Sequence, residues 1–131
     1  MNPKMASSSD KTNYQKVKEF HLAFDQPAPD TMQTDIASRD RKLCEFRASL
    51  IEEEFKELKT AIATNDFKEV RDALADILYV VYGTAVSFGI DADSDFAVVH
   101  SSNMSKLCDT EEDAKASKKK DKSAPPQKSA G

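Results

Sequence analysis

Two glutamates occupy positions where a helix would ordinarily carry leucines. If Leu43 to Ile62 coil as an α-helix, Leu43, Phe46, Leu50, Leu58 and Ile62 recur at close to helical spacing and mark its apolar stripe. At about 100° per residue, Glu54 falls near the centre of that stripe and Glu57 lies within it, whereas Glu52, Lys56 and Lys59 project from the opposite side. A carboxylate aimed at a core is costly unless it is paired, protonated or bound to a cation. The next helical segment adds Glu69, Asp72 and Asp76, within about 60° of one another on a stripe that continues into Val80 and Gly83. Glu53 adjoins Glu54 and Glu57, so two sets of acids face inward and like charges cannot neutralise each other. Carboxylates converging in a partly buried pocket repel strongly unless a divalent cation sits among them. All-oxygen ligation with no nearby Cys or His suits Mg²⁺, or Mn²⁺, better than zinc.

Each acid also has a simpler role open to it. Glu69 completes a capping box with Asp66. Asp72 has Lys68 one turn back, or Arg71 of another subunit, for a partner. Glu53, at the edge of the stripe, is open to solvation. Burying Glu54, Glu57 and Asp76 without a cation needs three dedicated partners.

Helices must position these groups. The first is predicted from Asn13 to Phe24, with Val17, Phe20, His21 and Phe24 at helical spacing, and it ends at the prolines of Gln26-Pro27-Ala28-Pro29-Asp30. The second begins between Ile36 and Asp40 and ends near Thr64. Asp66 caps a third that runs to about Ser87 and is stopped by Gly89. Ser94 or Asp93 caps a fourth, reaching about Leu107. The second and third, joined by a very short turn, must form an antiparallel hairpin. The third is apolar on one side through Phe67, Val70, Leu74, Ile77, Val81, Ala85 and Phe88, and again through Tyr79, Val80, Gly83 and Val86. One hairpin and two flanking helices cannot cover that surface, so an all-α chain that self-associates into a multi-helix, four-helix-bundle-type assembly is expected.

With 131 residues, 39% hydrophobic and 32% charged, the chain has the mass for one small domain. The reading places that domain at 13–108, between a disordered N-terminus (1–12) and a disordered charged tail (109–131) of Lys, Ser, Ala, Asp and Pro. The tail holds six Lys against five acids, which leaves residues 1–108 at −5. An acidic body does not favour nucleic acid, and no apolar run approaches the ~18 residues of a membrane span. Cys44 and Cys108 read as reduced thiols, which points to the cytoplasm, with the Lys118–Lys120 run as an alternative nuclear signal.

The run Leu50-Ile51-Glu52-Glu53-Glu54-Phe55-Lys56-Glu57-Leu58 resembles the E-E-x-x-E motif of the MazG-like, all-α nucleoside triphosphate pyrophosphohydrolases. Glu69-Val70-Arg71-Asp72-Ala73-Leu74-Ala75-Asp76 is similar to their second motif, E-x-x-D. That superfamily includes phosphoribosyl-ATP pyrophosphohydrolases and dimeric dUTPases. The resemblance spans about Val17 to Leu107 and takes in Val99-His100-Ser101-Ser102-Asn103-Met104-Ser105-Lys106. Aligned on Asp76, the motif glutamate falls at Ala73 and the acid is displaced to Asp72. Aligned on Asp72, the glutamate is Glu69 and Asp76 is an extra acid.

What the resemblance implies is Mg²⁺-dependent hydrolysis of a nucleoside triphosphate to the monophosphate and pyrophosphate, in nucleotide-pool sanitation, by a homodimer or homotetramer. Glu54, Glu57, Asp72 and Asp76, with Glu69, are then the expected metal ligands, and Glu53 or Glu54 orients the attacking water. Lys106, Asn103 and Arg47 are the candidates for the phosphates. His21, with Phe20 and Phe24, is the nearest candidate for the base. Two other readings compete: a phosphoribosyl-ATP pyrophosphohydrolase, and a non-enzymatic helical interaction module that binds a structural cation. The absence of a Gly-rich phosphate loop and of G-x-S-x-G argues against P-loop and serine-nucleophile chemistry.

Overall fold

The computed structural model describes residues 10–117, with side chains as far as 107, and all regular structure among them is helical. Five helices follow in order: α1 (Asn13–Ala23), α2 (Ile36–Arg39), α3 (Arg41–Ala63), α4 (Phe67–Phe88) and α5 (Ala92–Ser117). Their ends have local causes. Thr12 opens α1 with a capping box, its hydroxyl accepting from the Gln15 amide while the Gln15 side chain accepts from the Thr12 amide. Asp40 breaks the second predicted helix in two: its backbone leaves helical geometry to end α2, and its carboxylate accepts from the Leu43 amide to start α3.

The α3–α4 turn is closed by Asn65 in the left-handed region (φ 54°) and by Asp66, whose carboxylate accepts from the Glu69 amide. Gly89, at φ 70°, ends α4, and its amide and that of Ile90 satisfy the carbonyls of Val86 and Ala85. Residues 24–35 then matter for the same end of α4, because the Gln33 amide donates to the Phe88 carbonyl.

α3 and α4 pack along their length as an antiparallel hairpin, α1 lies on α4, and α2 lies on α3. The buried apolar residues are Val17, Ala61, Ala73 and Val86, and the buried polar ones are His21, Arg47 and Ser87. The inward face of α3 therefore departs from the expected stripe: Phe46 is 53% and Ile62 61% exposed, while Arg47 and Ala61 are buried. Small residues explain the rotation. With Ala61, Ala73 and Gly83 buried on the two arms, the helices approach closely and the larger side chains move to the rims. α4 is likewise not covered all round within one chain, since Leu78, Tyr79 and Val81 are exposed.

Chain contacts divide the protein between Ala92 and Asp93, with α1–α4 in the first unit and the bulk of α5 in the second. α5 starts at Ala92, so Asp93 and Ser94 lie in its first turn instead of capping it, and Asp93 and Asp95 complement the helix dipole there. It continues to Ser117, beyond the expected end near Leu107, through a Glu-, Ala- and Lys-rich stretch of good helix formers. The rest of the tail, 118–131, and residues 1–9 of the N-terminus lie outside the described residues.

Candidate metal centre

Glu54 and Glu57 are one turn apart on α3, and Asp76 is on α4. The antiparallel hairpin brings one carboxylate oxygen of each within 4.8 Å of the others. Glu54 is half-buried, whereas Glu57 and Asp76 are exposed, so the cluster has a closed back and an open front. One oxygen, Oε1 of Glu54, is sealed from solvent and has no hydrogen-bond partner.

The electrostatics follow from this placement. Burial first, then the facing charges of Glu57 and Asp76 and a side-chain hydrogen bond with Glu57, with a smaller contribution from Glu53, hold the Glu54 carboxyl above the usual carboxylate range. A site that collects three acids and leaves a buried oxygen unmatched fits a hard divalent cation. Mg²⁺ and Mn²⁺ take oxygen donors, and these three acids would hold such an ion from one side. The donor set contains no nitrogen or sulfur, so zinc has nothing here to prefer.

Beside Glu57, at the turn end of the hairpin, lies a cavity of about 350 Å³ lined also by Lys56, Thr60, Thr64, Asp66 and Glu69. Helical spacing does not mark Lys56 or Thr60 as part of this group. Lys56 fell on the side assigned to solvent, and nothing in spacing alone joins it to an acid on the other arm.

The remaining candidates are distributed as follows. Asp76 meets Glu54 and Glu57, which favours the motif alignment that counts Asp76 over the one that treats it as an extra acid. Asp72, one turn away and exposed, is paired with Lys68 at 3.2 Å. Glu69 lines the cavity at the turn, and Glu53 is exposed beside Glu54. Asn103 and Lys106 are exposed on α5, in the second unit.

Two candidates are corrected. Arg47, expected at the substrate phosphates, is only 6% exposed and donates from Nη2 to the Val80 carbonyl (3.1 Å) and from Nε to the Thr84 hydroxyl (3.2 Å). The buried contact face of α3 runs through it, so its donors are spent on α4. His21, expected at the base, is 3% exposed and engages the Pro27 carbonyl through Nδ1 at 2.8 Å. Its Nε2 faces Gly83, because α1 packs that side of its surface against α4. Phe20 and Phe24, by contrast, remain partly open and stacked, with Phe20 edge-on to Tyr79.

Against this geometry, comparison with known proteins gives two matches. The family model for phosphoribosyl-ATP pyrophosphohydrolase matches residues 17–103, which include the whole hairpin and its three converging acids. The uncharacterized protein L479 of Acanthamoeba polyphaga mimivirus is 44% identical over 87 residues, covering 66% of this chain and 35% of the viral one. The chain thus accounts for about a third of the length of that relative.

Proposed function

The chain belongs to the phosphoribosyl-ATP pyrophosphohydrolase family, within the MazG-like all-α nucleoside triphosphate pyrophosphohydrolase superfamily, and from that premise we propose that it hydrolyses a nucleoside triphosphate, ribo- or deoxyribo-, to the monophosphate and pyrophosphate with a divalent cation bound. The observation that carries this reading is the convergence of Glu54, Glu57 and Asp76 around an unmatched buried oxygen. These three would hold Mg²⁺ or Mn²⁺, with Asp72 and Glu69 as neighbouring acids. The cation supplies positive charge to the phosphate oxygens and so stabilises the charge that develops on them.

The chain's own groups supply the rest. Glu53, exposed beside the cluster, accepts a hydrogen bond from the attacking water and orients it. Water adds to the α-phosphorus and gives up a proton to Glu53 as the bond from that phosphorus to the α–β bridging oxygen breaks, and pyrophosphate leaves. The open Phe20–Phe24 pair with Tyr79 offers an aromatic surface for a base. Association into a homodimer or homotetramer is supported by the apolar side chains that α3 and α4 leave exposed. Sanitation of the nucleotide pool is the role this chemistry serves.

A second reading rests on the description of the matching family itself: the substrate is then phosphoribosyl-ATP, the same triphosphate on an N1-ribosylated adenine. One experiment separates the readings. Pyrophosphate and orthophosphate release is measured from a panel of NTPs, dNTPs and phosphoribosyl-ATP, with and without Mg²⁺. Metal-dependent pyrophosphate from an ordinary nucleotide supports the proposal, and release only from phosphoribosyl-ATP supports the second reading. Metal binding without turnover of any of them would leave a non-enzymatic cation-binding module.

A further inference from the structure

Arg47 carries a buried charge with no carboxylate partner among the described residues, and its position on the hairpin explains why. It lies two turns before Glu54 on the same side of α3, and Gly83 lies two turns after Asp76 on the same side of α4. In an antiparallel pair these offsets match, so Arg47 stands opposite Gly83 just as Glu54 stands opposite Asp76. The two contacts are about 10 Å apart along the bundle.

The chemistry of the contact is directional. One planar guanidinium donates at fixed angles to the Val80 carbonyl and the Thr84 hydroxyl, and Thr84 in turn donates to the Val80 carbonyl at 2.9 Å. A Cβ at Gly83 would overlap Arg47 Nη2 and stand 3.2 Å from His21 Nε2. The glycine is therefore the opening through which α3 and α1 both reach the backbone of α4. Dispersion contacts between apolar faces are individually small and carry little direction. A bidentate polar contact admitted only at one glycine fixes both translation and rotation.

We propose that Arg47, seated on Val80, Thr84 and Gly83, is a positioning residue that sets the register of the hairpin and thereby holds Glu54 and Glu57 in reach of Asp76. This rests on the reading of those acids as a cation site, and the test is chosen to separate the two.

Mn²⁺ affinity is measured by the EPR signal of the free ion, beside circular dichroism and Tm, in the full chain and in Thr84→Val, Arg47→Met and Val17→Ala. Thr84→Val is nearly isosteric and removes one acceptor, so it folds, and it weakens Mn²⁺ binding several-fold. Arg47→Met keeps the length and loses the contact, and it weakens binding by about 10–100-fold, the range seen for groups that orient metal ligands. Val17→Ala opens a cavity under α1, away from the α3–α4 contact, and lowers Tm while Mn²⁺ affinity stays within about twofold of the parent.

Unchanged Mn²⁺ affinity in folded Thr84→Val and Arg47→Met would overturn the positioning role. A loss in Val17→Ala equal to that in Arg47→Met would overturn it as well, because affinity would then follow stability alone. If Arg47→Met does not fold, Thr84→Val against Val17→Ala decides. Absence of Mn²⁺ binding in the unaltered chain would instead remove the cation site itself.

Discussion

Glu54 Oε1 on α3 is shut away from solvent and bonded to nothing, while Asp76 on α4 presents its carboxylate to the same space. The fold thus sets two acids against each other in one space. Replacing Glu54 with Gln removes one of those acids and leaves the helix backbone unaltered. Glu54→Gln should raise the Tm of the metal-free protein, abolish Mn²⁺ binding, and reduce pyrophosphate release by more than about a hundredfold, the loss that even outlying partners of a metal can cause. Calorimetry and a coupled pyrophosphate assay check the two halves; a variant that turned over normally would remove Glu54 from the site.

The same relationship fixes a pH dependence. Burial and the facing acids raise the Glu54 carboxyl above its unfolded value, so the folded chain holds that proton more tightly than the unfolded one. Its contribution is complete below the unfolded value and is lost as pH rises through the raised folded value. The metal-free protein should therefore lose thermal stability as pH climbs across that window. Saturating Mg²⁺ should flatten the slope, and Glu54→Gln should lack it. A Tm of the metal-free protein that rose across the same window would contradict the assignment.

Asp76 and Asp72 are one turn apart on α4, yet only Asp76 meets the α3 acids. Asp76→Asn should weaken Mn²⁺ binding by at least about tenfold. Asp72→Asn, which forfeits an exposed pairing with Lys68, should weaken it less and leave Tm unmoved. Titration of the two variants side by side is the check; a larger loss in Asp72→Asn would restore the alignment that makes Glu69 and Asp72 the motif acids.

At the far end of α4, Gly89 adopts φ 70°, and a Cβ there would overlap the Thr31 carbonyl. A left-handed conformation costs a residue with a side chain about 1–3 kcal/mol, and the overlap adds to it. Gly89→Ala should lower Tm by at least about 5 °C, while leaving Mn²⁺ affinity within about twofold, since Asp76 lies more than three helical turns away along α4.

Phe46, Phe55, Leu74 and Leu78 are each about half exposed, and among the described residues only four apolar side chains are buried. Multi-angle light scattering at micromolar concentration should return two or four times the 14.5 kDa chain mass. A monomer under those conditions would contradict the expected assembly.

Much of the all-α architecture was legible in the chain. Asp66, Asn65 and Gly89 punctuate the hairpin where turn chemistry places them, and the inward angle of Glu54 follows from helical spacing alone. The roles of Arg47 and His21 were not legible. Both depend on how closely α3 and α1 approach α4, which is set by a glycine two turns along another helix. A basic residue on an apolar stripe looks like a ligand for an anion until the backbone carbonyl it reaches is known. The division at Asp40 was hidden for a similar reason, since an aspartate inside a periodic stretch reads equally as a surface residue or a cap.

The three converging acids all belong to one hairpin, between Glu54 and Asp76. Contacts so near in sequence close quickly, because little loop entropy must be lost to form them. The acid cluster is therefore assembled as soon as α3 zips against α4, before α1 has docked. A cation present during folding would be captured by the half-built protein and would speed the closing step, so the refolding rate should depend on whether Mg²⁺ is added before or after the first packing event.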